Sequence, residues 1–173
     1  NCDYSNNIRE SKNSYLSFSI VKSEDIYYST NVIDQSTFCF DSANITTSSN
    51  IYENIQALHN YNSIYLVNCR ECINSGFLFE CVNCSDCFLS SNQRNKKFLF
   101  FNKQLTEAEY KQKVRELGLG SHNSATALVQ QFKSLIGFSL HRFANATKIN
   151  NCTGDYIFNI NNGHIISFRG FRF

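Results

Sequence analysis

Apolar residues in this chain come in pairs or triplets behind a small or polar residue, and the arrangement recurs. The copies are Ser14-Tyr15-Leu16, Asp25-Ile26-Tyr27, Thr37-Phe38-Cys39, Asn50-Ile51-Tyr52, Ser63-Ile64-Tyr65, Gly76-Phe77-Leu78, Asp86-Cys87-Phe88 and Lys97-Phe98-Leu99. Successive copies start 11, 12, 13, 13, 13, 10 and 11 residues apart, too regular for loops and too short for strand–helix units. A second element, Asn followed by a small apolar residue, precedes most copies: Asn7-Ile8, Asn31-Val32, Asn44-Ile45, Asn54-Ile55, Asn68-Cys69 and Asn83-Cys84. Short β-branched and aromatic runs separated by Asn, Asp, Ser or Gly predict short strands and turns. One such unit cannot bury its apolar face alone, whereas stacked units share a continuous core.

The pattern therefore predicts a mainly β fold, a β-solenoid of ~12-residue units over residues 1–104. Reading the Tyr and Phe residues as inward-facing leaves a ~12-residue coil too narrow for them at normal packing density, which favours two units per coil. The recurrent Asn is expected at turns, where its side chain tolerates left-handed φ and bonds its neighbours in ladders.

At residue 105 the period changes. Thr106 and Glu109 form a capping-box pattern, Leu105 sits where a hydrophobic staple would face Tyr110, and Tyr110, Val114 and Leu117 follow at helical spacing up to Gly118. These predict a helix over 106–117. Ser124 is the next N-cap candidate; Leu128, Val129, Phe132, Leu135 and Ile136 mark one face of a helix over 125–136, with Gly137 as its stop. The two helices are expected as an antiparallel hairpin, inserted at 105–138, that caps an end of the solenoid or packs on a neighbouring subunit. The repeat then returns within 139–173, in Asn151-Cys152-Thr153-Gly154-Asp155-Tyr156-Ile157-Phe158 and Asn162 to Phe168.

Composition narrows the function. The 173 residues are 42% hydrophobic, enough for one domain with a real core, and a net charge of +2 with scattered basic residues (Arg94, Lys96, Lys97, Arg169, Arg172) argues against nucleic acid or an anionic membrane as main partner. No apolar run approaches the ~20 residues of a membrane-spanning helix. The chain contains no Met. Together with the absence of a signal-like start, this gives the expectation that Asn1 is not the translated N-terminus and that the chain is processed or part of something longer. Phe171 and Phe173 in the tail RGFRF suggest a docked or continuing end.

The runs NCRECIN and NCSDCF, followed by Asn95-Lys96 and by Asn102-Lys103-Gln104-Leu105-Thr106-Glu107-Ala108-Glu109-Tyr110, resemble cysteine-rich repeat proteins of unassigned function from candidate-phyla bacteria and tailed bacteriophages. Their NCxxC repeats close with a segment of the form NKxYxxxNKQYTxEEY, from which this chain departs at Leu105 and Ala108, and Asn151 to Asn159 is similar to the NCSGDYLxN segment beyond their helices. The resemblance implies a repeat protein with a phage connection and supplies no catalytic residues. This chain carries fewer cysteines than those proteins.

Cysteine is the strongest chemical signal. Cys69, Cys72, Cys84 and Cys87 form two CxxC hooks with the spacing of a short zinc ribbon, and Cys81 lies close by. The competing reading is inert packing. Cys69 and Cys84 follow Asn where Ile8, Val32, Ile45 and Ile55 do in other copies, and free Cys packs as a small hydrophobe. Disulfides are a third reading, disfavoured because Cys2, Cys39 and Cys152 have no partner nearby in sequence. His59, His122, His141 and His164 are scattered. Asp25, Asp34, Asp41 and Asp86 recur in the repeat and suit either turns or a carbohydrate-active groove.

The residues thus lead to the expectation of a non-enzymatic structural or assembly protein without a cofactor, a component of a virion or of a cytoplasmic assembly. Its partners are other protein subunits, as a homo-oligomer or larger particle. A zinc-stabilised binding module on Cys69, Cys72, Cys84 and Cys87 is the alternative, and a carbohydrate-active solenoid stands third.

Overall fold

The computed structural model describes residues 2–142 and, beyond them, residues 146–148, 150 and 157–158. The backbone enters the left-handed region at every third residue: from Tyr4 to Asp34, and again from Gln35 to Phe101, each third residue has φ between 45° and 58°. Each such residue turns the chain, so three residues make one side of a coil and four sides close it. The register shows the closure, since Ile20 pairs in parallel with Ile8 behind it and with Val32 ahead, 12 residues away both times. About eight such coils stack into a β-solenoid.

L-residues adopt this conformation at a cost of roughly 1–2 kcal/mol, which Asn and Asp reduce by local hydrogen bonding. The corners follow that rule: Asn and Asp hold many, Val and Ile hold none, and Thr47 is the one β-branched corner residue. Asp34 and Gln35 are both left-handed, so one corner carries an extra residue. The offset there becomes 13, with Glu24 against Thr37 and Thr30 against Ala43, and returns to 12 at Thr37 against Ser49.

Within each triplet the residue after the corner faces inward, giving four inward columns along the axis. Through the first coils the columns on alternate sides are apolar, Ile20, Val32, Ile45 and Ala57 on one and Ile26, Cys39 and Ile51 on the other, and they form one core cluster. The remaining two columns are polar and equally buried: Ser17, Ser29, Ser42 and Asn54, then Ser23, Ser36, Ser48 and Asn60. Hydrogen bonding explains the buried serines. Ser29 Oγ donates to the Tyr27 carbonyl (2.8 Å) and accepts the Ser42 N–H (3.1 Å). Ser42 Oγ accepts the Asn54 N–H (3.2 Å), and Asn54 Oδ1 accepts the N–H of Leu66 (2.8 Å). In these coils a short acceptor side chain on each of these two sides meets the interior backbone N–H groups.

Outside, corner side chains form the expected ladders. Asn31 donates to Asn44, Asn62 to Asn74 and Asn83 to Asn95, each at 2.8 Å, and Asn13 donates to Asp25 at 3.0 Å. Two sequence expectations change. The coil is one ~12-residue unit and not two, because the Tyr and Phe residues that called for a wide coil point outward and the interior holds one small residue per side. Adjacent coils are also in a stricter register than the apolar pairs implied.

Helix α1 (Glu107–Glu116) has the predicted capping box, with Glu109 N–H donating to Thr106 and the Glu109 carboxylate accepting from the Thr106 backbone, and Gly118 follows it with φ 58°. Helix α2 (His122–Phe138) starts earlier than the Ser124 cap suggested, behind an extended Ser121, and runs through Gly137 to stop at an extended Ser139. A glycine costs an exposed helix about 1 kcal/mol without ending it. The helices pack on the coils more than on each other, α1 on the strand Arg94–Phe100 and α2 on the strands Gly76–Phe79 and Val82–Ser91. The helices and the coils belong to one compact unit, residues 1–139, and residues 140–173 form a second. In that second unit Ala146–Thr147 pairs in parallel with Ile157–Phe158, partners 11 residues apart, close to the coil spacing. Cys152, His164, the copy at 162–168 and the phenylalanine tail lie outside the described residues.

Replacing Ser42 with Ala is expected to destabilise the protein by about 1–3 kcal/mol, the cost of a buried N–H left without its acceptor. Thr30→Ala, at an exposed outward position, is expected to change stability by less than about 0.5 kcal/mol. Urea unfolding followed by circular dichroism measures both, and equal effects would contradict the serine ladder.

Candidate functional site

The columns change character at the fifth coil, and here the predicted cysteines meet. Cys69 and Cys81 stack in the column that Ile8, Val32 and Ile45 occupy earlier, as expected for Cys69. Cys72 and Cys84 stack in the column of Ser48 and Asn60, so Cys84 replaces a polar inward residue and not an Ile. Cys87 lies above Ser75, whose hydroxyl accepts its N–H at 3.2 Å. The structure thus brings Cys69, Cys72, Cys84 and Cys87 together and adds Cys81, all within one buried cluster completed by Leu66, Leu78 and Leu99.

These thiols bond as the serines do. Cys69 donates to the Val67 carbonyl (3.4 Å), Cys81 to that of Phe79 (3.4 Å) and Cys87 to that of Ser85 (3.2 Å), each two residues back. In return the backbone N–H of Cys84 donates to Cys72, that of Gln93 to Cys81 and that of Lys96 to Cys84. Cysteine at these positions accepts the ladder hydrogen bond and fills space as an apolar group, which neither Ser nor Leu does alone. Burial pushes the Cys69 thiol well above its ordinary pKa and Cys39 up to about 12. The neighbouring Cys84 and burial raise Cys87 in the same direction, while the surrounding Cys72, Cys81 and Cys87 thiols lower Cys84. Among the described residues no group of three or more His, Cys, Asp or Glu is arranged to hold a metal ion, and no disulfide forms.

The other candidates disperse. Asp25, Asp34, Asp41 and Asp86 all occupy left-handed corners, where their short side chains suit the backbone. His59 is likewise an exposed corner, and His141 is exposed. Arg94, Lys96 and Lys97 are exposed on the last coil, and Lys97 lies 4.7 Å over the Phe98 ring.

The more distinctive surface is one that the inward reading of the aromatics concealed. One edge of the solenoid carries Tyr15, Tyr27, Phe40, Tyr52, Ile64, Gly76, Phe88 and Phe100 in one row, with Leu16, Tyr28, Asp41, Glu53, Tyr65, Phe77 and Leu89 at the adjoining corners. Neighbouring rings touch along the row: Tyr27 stacks on Phe40 (5.0 Å, 6°), Tyr52 meets Tyr65 edge-on (5.8 Å, 87°), and Tyr65 stacks on Phe77 (4.6 Å, 11°). Gly76 makes room in this row, since a Cβ there would sit 2.7 Å from the Phe88 ring and 3.2 Å from Ile64. Over the last coils the helices cover the edge, and Phe77, Phe79, Phe88 and Leu89 form a third core with Tyr110, Leu128 and Phe132. Over the first coils nothing among the described residues covers it.

Between the two stretches lies a cavity of about 430 Å³ lined by Tyr52, Ile64, Tyr65, Phe77, Leu119, Ala125, Thr126 and Val129. At its rim the Tyr52 hydroxyl is hydrogen-bonded to Tyr65 and Glu53. Burial and then the nearby Asp41 raise the Glu53 carboxyl, and burial with the Tyr52 and Glu53 groups pushes Tyr65 up to about 12. The recurrence of an aromatic residue at 15, 27, 40 and 52 was the sequence signal for this edge.

Fold and site together define a β-solenoid repeat protein with a cysteine-packed interior and one aromatic edge. Comparison with protein-family models, with curated proteins and with solved structures finds no match to the chain. No helix among the described residues is long and apolar enough to cross a membrane.

The packing predicts the thiol chemistry. Among the described residues Cys2 is exposed and the six other cysteines are buried. In a Cys152→Ser variant, Ellman's reagent is expected to modify one thiol in native buffer and six more after unfolding in urea. Fast modification of Cys84 or Cys87 in the native protein would contradict a sealed core.

Proposed function

We propose that this chain is a non-enzymatic structural protein that packs against other protein subunits in a larger assembly, with a virion or a comparable particle as the setting. The observation that carries the reading is the aromatic edge. It runs the length of the coil stack, is buried by the chain's own helices at one end and is left bare by the described residues over several coils at the other. Contiguous exposed apolar surface of this kind marks an interaction site. The regular coils make a stiff support for it. The likeness of NCRECIN, NCSDCF and the segment ending at Tyr110 to repeat proteins of tailed phages supports the particle setting.

Clustering of Cys69, Cys72, Cys81, Cys84 and Cys87 in one core favours a second reading, a zinc-stabilised binding module. The two readings differ in metal content: purified protein holding near-stoichiometric zinc that Cys72→Ser removes would establish the second. The first is tested by quantitative mass spectrometry of fractionated source material. The chain is expected to co-purify with large particles at a fixed ratio to their other proteins, and recovery only as a free monomer would refute the assembly role.

A further inference from the structure

We propose that the stretch of the aromatic edge that no described residue covers, from Leu16 to Tyr52, docks an amphipathic α-helix of a partner protein whose apolar face is flanked by lysine or arginine. The proposal rests on the assembly reading and names the partner's chemistry. Three observations lead to it. The first is continuity: the rows that α2 covers at Phe77, Phe88 and Leu89 extend without a break in register to Leu16, Tyr28, Phe40 and Tyr52, which remain 48%, 55%, 38% and 40% exposed. A surface that takes a helix at one end presents the same kind of rows at the other, with one apolar anchor per coil. Coils repeat at about 4.8 Å and a helix turns every 5.4 Å, so residues spaced three or four apart on a helix meet successive coils.

The second observation is charge. The uncovered edge is built by segments 13–18, 25–30, 38–43 and 50–55, whose charged residues are Asp25, Asp41 and Glu53, with no Lys or Arg. Asp41 and Glu53 occupy equivalent corners of adjacent coils, and neither is in a salt bridge among the described residues. Two stacked carboxylates beside exposed aromatic rings favour a cationic flank, by charge pairing and by cation–π contact. The third is size. From Leu16 to Glu53 is three coil steps, about 14 Å, the length of about ten helical residues. The cavity of about 430 Å³ beyond Tyr52 then offers a socket for one large apolar side chain at the end of that helix.

The test uses two fluorescein-labelled synthetic helical peptides of about 14 residues with the same leucine face, one flanked by lysines and one by glutamates, titrated with the full chain by anisotropy. The lysine-flanked peptide is expected to bind and the glutamate-flanked one to bind at least about tenfold more weakly, with the order reversed in the Asp41→Lys, Glu53→Lys variant. Leu16→Ser, Tyr28→Ser, at two half-exposed positions, is expected to weaken the lysine peptide by about tenfold or more while the urea midpoint stays unchanged. Absence of binding by either peptide overturns the proposal, as does equal binding of the lysine peptide to the aromatic variant, which would reduce the effect to charge alone. Self-association that the Leu16→Ser, Tyr28→Ser change abolishes would also overturn it, by making a second copy the occupant. None of these failures touches the assembly reading, which particle content tests separately.

Discussion

A left-handed residue at every third position is the constraint on which the rest of this structure depends. It fixes the side of the coil at three residues, the coil at 12, and the interior at one side chain per side. So narrow an interior has no room for Phe or Tyr, and those residues are displaced to the outer edge. It also turns certain backbone N–H groups toward the neighbouring coil's inward side chain, which is why serine and asparagine are buried inside the coils while the aromatics stand outside them. Geometry sorts the side chains by size, so that Ile, Val, Leu and Cys share the interior with Ser and Asn. Hydrogen bonding along the axis offsets the conformational cost of the corners, both inside through Ser29, Ser42 and Asn54 and outside through the Asn ladders.

Cysteine fits into the same scheme. In the coils that carry Cys69, Cys72, Cys81, Cys84 and Cys87, one residue type does what Ile and Ser divide between them in the earlier coils. It accepts the N–H from the next coil and donates to the carbonyl two residues back. It also adds apolar contact. The interior stays continuous through these coils, where Leu66 and Leu78 take up a formerly polar column and Ser63 and Ser75 a formerly apolar one, and the outer edge of the coils is the part that the helices cover. Depth thus separates the residue types, with thiols and hydroxyls holding the stack from inside and aromatic rings lining its outer edge.

Much of the fold was legible in the residues. The recurrence near a dozen residues gave the solenoid, Thr106 and Glu109 marked the start of α1, and the repeated Asn marked left-handed turns joined in ladders. The interior was not legible, because many inward residues are Ser and read as turn residues, while Phe38, Ile64 and Phe77 read as facing into the coil and instead point out of it in three different rows, with Phe77 buried only by the helices. The true phase was present in a quieter signal, the absence of Val and Ile from every third position. Gly137 misled for a related reason: glycine ends a helix only where the chain takes up a left-handed turn, and here nothing crowds it and the helix continues to Phe138. The cysteine hooks and the neighbouring Cys81 fall in one buried cluster, but spacing could not reveal that the sulfurs are already engaged by the backbone.

The most direct test is a backbone-assigned NMR spectrum read for the sign of φ along the solenoid. The account predicts strong intraresidue amide-to-α-proton contacts, the signature of positive φ, at every third residue from Asn7 through Asn31, shifted by one at Gln35 and regular again to Asn95. Positive φ confined to isolated turns, with extended backbone at residues such as Phe38, Tyr65 and Phe77, would contradict it.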